Sequence, residues 1–140
     1  PIVDAYLAAL PAGVAPRIVG SRSVFVAETR QEALRLADIG LRRSAARFAA
    51  SGQAGLADRA GPRASLEELI AAYDVHVGSP DDVIASLRAD STLDRVTDLV
   101  CQVHSVDPPH AAILRSIELI ATEVAPALGI HSSSTLRETA

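Results

Sequence analysis

Three short apolar segments, residues 17–27, 75–77 and 96–102, are each followed by a stretch with helical spacing and a helix-start signal. That alternation restricts the fold more than any other feature. A parallel pair of strands needs a crossover long enough to hold a helix, so β-α, β-α, β-α implies a parallel sheet with right-handed crossovers. Residues 51–64, rich in Gly and Ala and holding Pro62, interrupt the order after the first of these helices and read as an insertion loop.

The helix boundaries follow from end chemistry and apolar period. Thr29 with Glu32 three residues on makes a capping box, in which a hydroxyl and a carboxylate satisfy orphan N–H groups reciprocally. Leu34, Ala37, Leu41, Ala45 and Phe48 then recur at helical spacing to about residue 50. Ser65 with Glu68 repeats the box for a short helix to about residue 72. Ser79 is the expected N-cap of the next helix, with Pro80 at its first position and Asp81 and Asp82 complementing the dipole. Val83, Ile84 and Leu87 form its inner face. Pro108 or Pro109 starts the last helix, where Ile113, Ile117, Ile120 and Val124 make one stripe. Pro126 has no N–H to give Thr122, so it kinks or ends that helix. At the front, residues 2–10 read as the last turns of a helix closed by Pro11 and Gly13, and Gly20 marks a bulge in the first strand. A start in mid-pattern is expected if an upstream part is missing, or if an initiator Met was removed. Residues 1–130 form the domain, and the polar 131–140 are expected to be a disordered tail.

Composition removes several classes of function. Apolar residues make up 49% and aromatics 3%, so the core rests on Ala, Val, Leu and Ile, which suits helices packed on a parallel sheet. All thirteen basic residues are Arg, which excludes lysine Schiff-base chemistry. A net charge of −4 with a pI near 5.5 argues against nucleic acid, whose phosphates call for a basic excess. No apolar run reaches the ~20 residues of a membrane span, and the N-terminus lacks a signal-peptide pattern. Cys101 is the single cysteine, set in an apolar strand, and is expected to be buried and inert. The expectation is a cytoplasmic protein with no membrane or nucleic-acid partner.

Few residues suggest chemistry. A strand that stops at Gly78-Ser79-Pro80 and turns into a helix points backbone N–H groups at the sheet's carboxyl edge, where α/β proteins bind anions. The same residues also serve as plain strand-to-helix punctuation, and Asp81 and Asp82 repel an anion placed over that turn. His76, His104, His110 and His131 show no metal spacing. His104 lies just past the last strand, where barrel enzymes place catalytic groups, or it is merely solvated. His76, within a strand, reads as a satisfied interior or interface residue and His110 as exposed. Arg22 either meets a ligand or pairs with a carboxylate. No Gly-x-Ser-x-Gly elbow, Gly-x-Gly-x-x-Gly or P-loop occurs. No catalytic residue emerges.

Taken in order, residues 17–29 (RIVGSRSVFVAET), 77–83 (VGSPDDV), 100–102 (VCQ), Pro109-His110, 114–119 (LRSIEL) and 123–128 (EVAPAL) resemble the C-terminal end of a luciferase-like flavin-dependent monooxygenase. The similarity runs from about Tyr6 to Leu128. It implies a partial TIM (β/α)8 barrel, about the last three β/α units, with parallel strands and outer helices. The three strands would then be the sixth, seventh and eighth. The resemblance also implies reduced FMN or a deazaflavin as cofactor, with molecular oxygen oxidising a small organic substrate in the complete enzyme. Gly78 and Ser79 match a family turn near the cofactor end, and residues 51–64 match a variable insertion. Loop residues 103–107 lack the glycines usual in relatives.

A three-strand arc alone would leave open edges on a parallel sheet. It is expected to bind no cofactor by itself and to self-associate or pair with the missing barrel half. The alternative is a non-catalytic truncated relative that acts as an assembly or interaction module.

Overall fold

The computed structural model describes residues 2–51, 61 and 63–130. Its elements are α1 (Ile2–Ala9), β1 (Val19–Val26), α2 (Arg30–Ser51), α3 (Leu66–Ala72), β2 (Val75–Gly78), α4 (Pro80–Ala89), β3 (Asp98–Gln102), α5 (His110–Leu119) and α6 (Ala125–Ala127). Most of the insertion expected at 51–64 lies outside the described residues, as does all of the tail expected at 131–140 with His131.

The β1 strand pairs in parallel with both others. Val24 lies beside His76 and Val26 beside Gly78 on one side, and Val19 lies beside Asp98 and Ser23 beside Gln102 on the other. This is the parallel α/β class implied by the alternation, consistent with a TIM-barrel-like fragment. Its layout nonetheless departs from an arc of consecutive barrel units, which would run β1-β2-β3. The observed order is β2-β1-β3, with β3 on the edge of β1 away from β2.

Helices also cover both sheet faces. Phe25, Ala27 and Val75 pack with Ala33, Leu36, Ala37 and Leu41 of α2 and Leu69 of α3. Val24 and Val26 pack with Val83 and Leu87 of α4 and with Leu119 and Val124 near the C-terminus. Handedness explains the arrangement. The step from β1 to β2 and the step from β2 back past β1 to β3 run in opposite directions, so right-handed crossovers put their helices on opposite faces. Val24, Phe25 and Val26 are all at most 1% exposed, as a central strand covered on both sides requires.

Because β3 pairs only with the amino-terminal part of β1, the rest of that edge needs another partner. Buried Ser116 on α5 supplies it, its Oγ accepting the Val26 N–H at 2.9 Å. The β3–α5 loop folds onto α2, with Val106 fully buried and its carbonyl where a Cβ on Gly40 would stand. Gly20 makes no bulge: it keeps regular register opposite Leu99, and its missing Cβ leaves room for a Val96 methyl that would otherwise sit 2.8 Å away.

Two apolar stripes are rotated from expectation. On α2 the buried line is Ala33, Leu36, Ala37, Gly40, Leu41, Ser44 and Ala45, a small-residue seam that admits the Val106 loop. Leu34 and Phe48 are half-buried, and Phe48 stacks on Tyr73 with centroids 5.9 Å apart. On α5 it is Ser116 and Leu119 that are buried, while Ile117 is 49% exposed. Pro126 cannot close the bond to Thr122, and a π turn (Ile120–Val124) precedes α6. The extra residue in that turn shifts the phase and brings Val124 inward.

Candidate functional site

The carboxyl ends of β1 and β2 stand level, joined by a bond from the Ala27 N–H to the Gly78 carbonyl at 3.1 Å. There α4 begins, with Ser79 as N-cap and Pro80 at the start. Asp82 folds back over the turn. Its Oδ2 accepts the Ser79 backbone N–H at 3.0 Å and the Ser79 hydroxyl at 2.8 Å. The other oxygen, Oδ1, accepts from Arg30 Nη1 at 2.8 Å. These bonds, those from Ser79 foremost, hold the Asp82 carboxyl below the usual carboxylate range. Gly78 has φ +156°, and a Cβ on it would lie 2.5 Å from Asp82 Cβ, so the carboxylate reaches the turn only because residue 78 is glycine.

Further along this edge Arg115 bridges Glu28 at 2.5 Å and Glu118 at 2.6 Å. Both guanidiniums here, Arg30 and Arg115, are thus matched by carboxylates. An anion already occupies the helix N-terminus, and it belongs to the protein.

A second polar group lies beneath α4 on the opposite flank. His76 is 6% exposed, with Nδ1 2.7 Å from the Ser86 hydroxyl. Its Nε2 is buried without a hydrogen-bond partner among the described residues and lies 3.8 Å from Asp90 Oδ2. Asp90 is held by Arg22 Nε at 2.5 Å and caps Thr92 N at 3.0 Å. The Arg22 bond, ahead of those from Thr92, drives the Asp90 carboxyl far below its ordinary value. Burial pushes the His76 imidazole down, against the pull of Asp74 and Asp90.

The structure therefore brings Gly78 and Ser79 together with Arg30 and Asp82, and it gives Arg22 a carboxylate partner. His76 is only half satisfied, and its polar neighbours were not legible from its apolar flanks. His104 and His110 are exposed. No group of three or more His, Cys, Asp or Glu able to hold a metal occurs among the described residues. Cys101 is half-buried, and burial raises its thiol pKa. Asp82 was readable as a partner from its place three residues after Ser79. Ser86, Asp90 and Thr92 carried no local signal, because the residues they serve lie up to 70 positions away.

No protein-family model matches the chain, and no curated relative does. Among solved structures it is similar to the oxygenating constituent of 3,6-diketocamphane monooxygenase from the CAM plasmid of Pseudomonas putida, a type II Baeyer-Villiger monooxygenase in complex with FMN. Identity is 27% and the TM-score 0.50, over 83% of this chain and 35% of that one. The chain thus spans about a third of the length of the structure it matches. It is structurally similar to an FMN-dependent monooxygenase. No helix among the described residues is long and apolar enough to cross a membrane.

The turn can be tested for its fit to a flavin phosphate. A phosphate at the start of α4 would need the Ser79 N–H and hydroxyl, and both are bonded to Asp82. As it stands here, the turn does not fit the group.

Proposed function

We propose that this chain is the C-terminal portion of a flavin-dependent monooxygenase that oxidises a small organic substrate with O2 and reduced flavin, FMN or a deazaflavin, and that it is inactive alone. The observation that carries the reading is the alignment of 83% of the chain, at 27% identity, on an FMN-bound monooxygenase of which it spans only 35%. The Asp82 carboxylate seated in the Ser79 cradle supports the second half of the reading. Gly78 and Ser79 serve as cofactor contacts in the complete enzyme only if the Asp82 carboxylate is displaced from both Ser79 donors.

A truncated, non-catalytic interaction module is the second reading, and one observation favours it. With β3 beside β1 and helices on both faces, the carboxyl end of the central strand, Val24 to Val26, is buried without any further barrel strands.

The product of the native gene decides between them. A barrel-sized product is expected, with visible flavin absorbance or saturable FMN binding, and with oxygen uptake that depends on reduced flavin and a small carbonyl compound. This chain alone is expected to leave FMN fluorescence unchanged. A native product no longer than this chain, without flavin-dependent oxygen uptake, would overturn the enzyme reading in favour of the module.

A further inference from the structure

A cavity of about 630 Å³ lies between the end of α4, the start of β3 and the last described turn of the chain. Leu87, Leu93, Leu99 and Leu128 line it, and Ile130 stands beside them, 41% exposed. Leu99 packs with Val24 and Val26, which puts this space over the α4 face of the sheet. A strand added beside β3 would extend the sheet and leave the cavity unfilled, and the Ser79 turn lies at the opposite end of α4. Its occupant is thus independent of the flavin reading.

The chain's own end is aimed at this space. Gly129 takes φ +72°, and the Gly129 and Ile130 N–H groups close on the Pro126 and Ala125 carbonyls at 3.0 and 2.9 Å, a Schellman cap. Arg88 of α4 clasps the same turn, giving Nη2 to the Ala127 carbonyl at 2.7 Å. The chain is thus anchored at Ile130, on the cavity wall, and residues 131–140 follow. At about 3.4 Å per extended residue, Leu136 reaches up to about 20 Å from that anchor. It is the one large apolar residue in 131–140, and Arg137 and Glu138 come next. The wall offers each charge a counterpart. Asp94 has no hydrogen bond or ion pair with any described residue, and Arg88 meets a carbonyl but no described carboxylate. We propose that residues 131–140 turn back over this cavity, with Leu136 among Leu93, Leu99 and Leu128, Arg137 against Asp94 and Glu138 against Arg88. A short tether holds such a segment at roughly millimolar effective concentration, which favours it over an outside occupant.

The test uses the full chain. In a Cys101→Ser background, Leu136→Cys combined with Leu93→Cys should close an intrachain disulfide at least tenfold faster than Leu136→Cys combined with Glu123→Cys. Glu123 is exposed and lies outside the cavity on the same tether, so an undocked segment would reach it at least as readily. Arg137→Glu and Asp94→Arg should each slow the Leu93 crosslink by about two- to fivefold, and the two together should restore it. The unsubstituted chain gives an independent reading, because the backbone order parameter at Leu136 should approach the value of about 0.85 found in rigid chain. Removing residues 131–140 should raise binding of a naphthalene sulfonate dye by uncovering the leucines. Equal crosslinking rates at Leu93 and Glu123, a charge swap without rescue, or an order parameter below about 0.6 at Leu136 would overturn the proposal. So would equal dye binding with and without residues 131–140, which would leave the cavity to an outside ligand.

Discussion

His76 has its Nδ1 bonded to Ser86, its Nε2 bonded to nothing described, and a pKa pushed down by burial. The consequence for stability has a definite sign. Below the ordinary histidine value near 6.5 the unfolded chain takes up a proton that the folded chain refuses, so stability falls as pH falls through that value. Its slope is bounded at about 1.4 kcal/mol per pH unit for one group. Urea unfolding at pH 7.5 and 5.5 should show the loss, and His76→Phe should flatten it; an unchanged slope would mean that His76 is not the group responsible. At lower pH the carboxylates take over. Asp90, depressed chiefly by Arg22, contributes stability that is present above the ordinary Asp value near 3.9 and is lost as pH falls below it. At the other flank, Ser79→Ala removes an N-cap side chain and should cost about 1 kcal/mol in the same assay. A neutral result there would show that Asp82 and the helix hold the turn without the hydroxyl.

Elements were legible where the chain states them locally. The Ser65–Glu68 box forms in full, with bonds of 2.7 and 3.1 Å, and Ser79 and Pro80 open α4 as their types require. Thr29 shows the limit of that reading. Its hydroxyl does accept the Glu32 N–H at 3.3 Å, but the Glu32 carboxylate turns to Arg35 at 2.7 Å and completes no box. What one sequence could not state is pairing between distant elements. Placing β3 beside β1 rather than β2 depends on Ser116 meeting Val26 and on Gly40 meeting Val106, contacts that span 90 and 66 positions. For the same reason the buried lines of α2 and α5 came out rotated, since the periodic residues do not reveal which neighbour a helix will face. Gly40 offers a direct test of this packing. Gly40→Ala sets a methyl on the Val106 carbonyl and should destabilise by about 1–3 kcal/mol or more, because backbone must move. Gly61, with nothing among the described residues within 4 Å of its would-be Cβ, is the control, and Gly61→Ala should be neutral or stabilising by up to about 1 kcal/mol. Equal costs at the two sites would mean that the β3–α5 loop does not rest on α2.

At the scale of the molecule the two cores share one strand. Phe25 and Ala27 look toward α2 and α3, and Val24 and Val26 toward α4 and the C-terminal helices, from consecutive positions at the end of β1 and one residue past it. Neither face can be lost without stripping one side of that strand, so both cores should melt together. Phe25→Ala, in the first core, should cost about 3–5 kcal/mol, and Leu119→Ala, in the second, about 2–5 kcal/mol. Each is a large part of the roughly 5–15 kcal/mol a domain of this kind holds. Both variants should move a single transition, seen alike by circular dichroism and by loss of hydrogen-exchange protection along β1. A Leu119→Ala protein that exposes the amides of α4 and α5 while those of α2 stay protected would show two separable halves. That outcome would also remove the ground for the module reading, which needs one core able to stand without more strands. A shared transition would show that the chain is a self-supporting unit, its two cores held together by the strand they share.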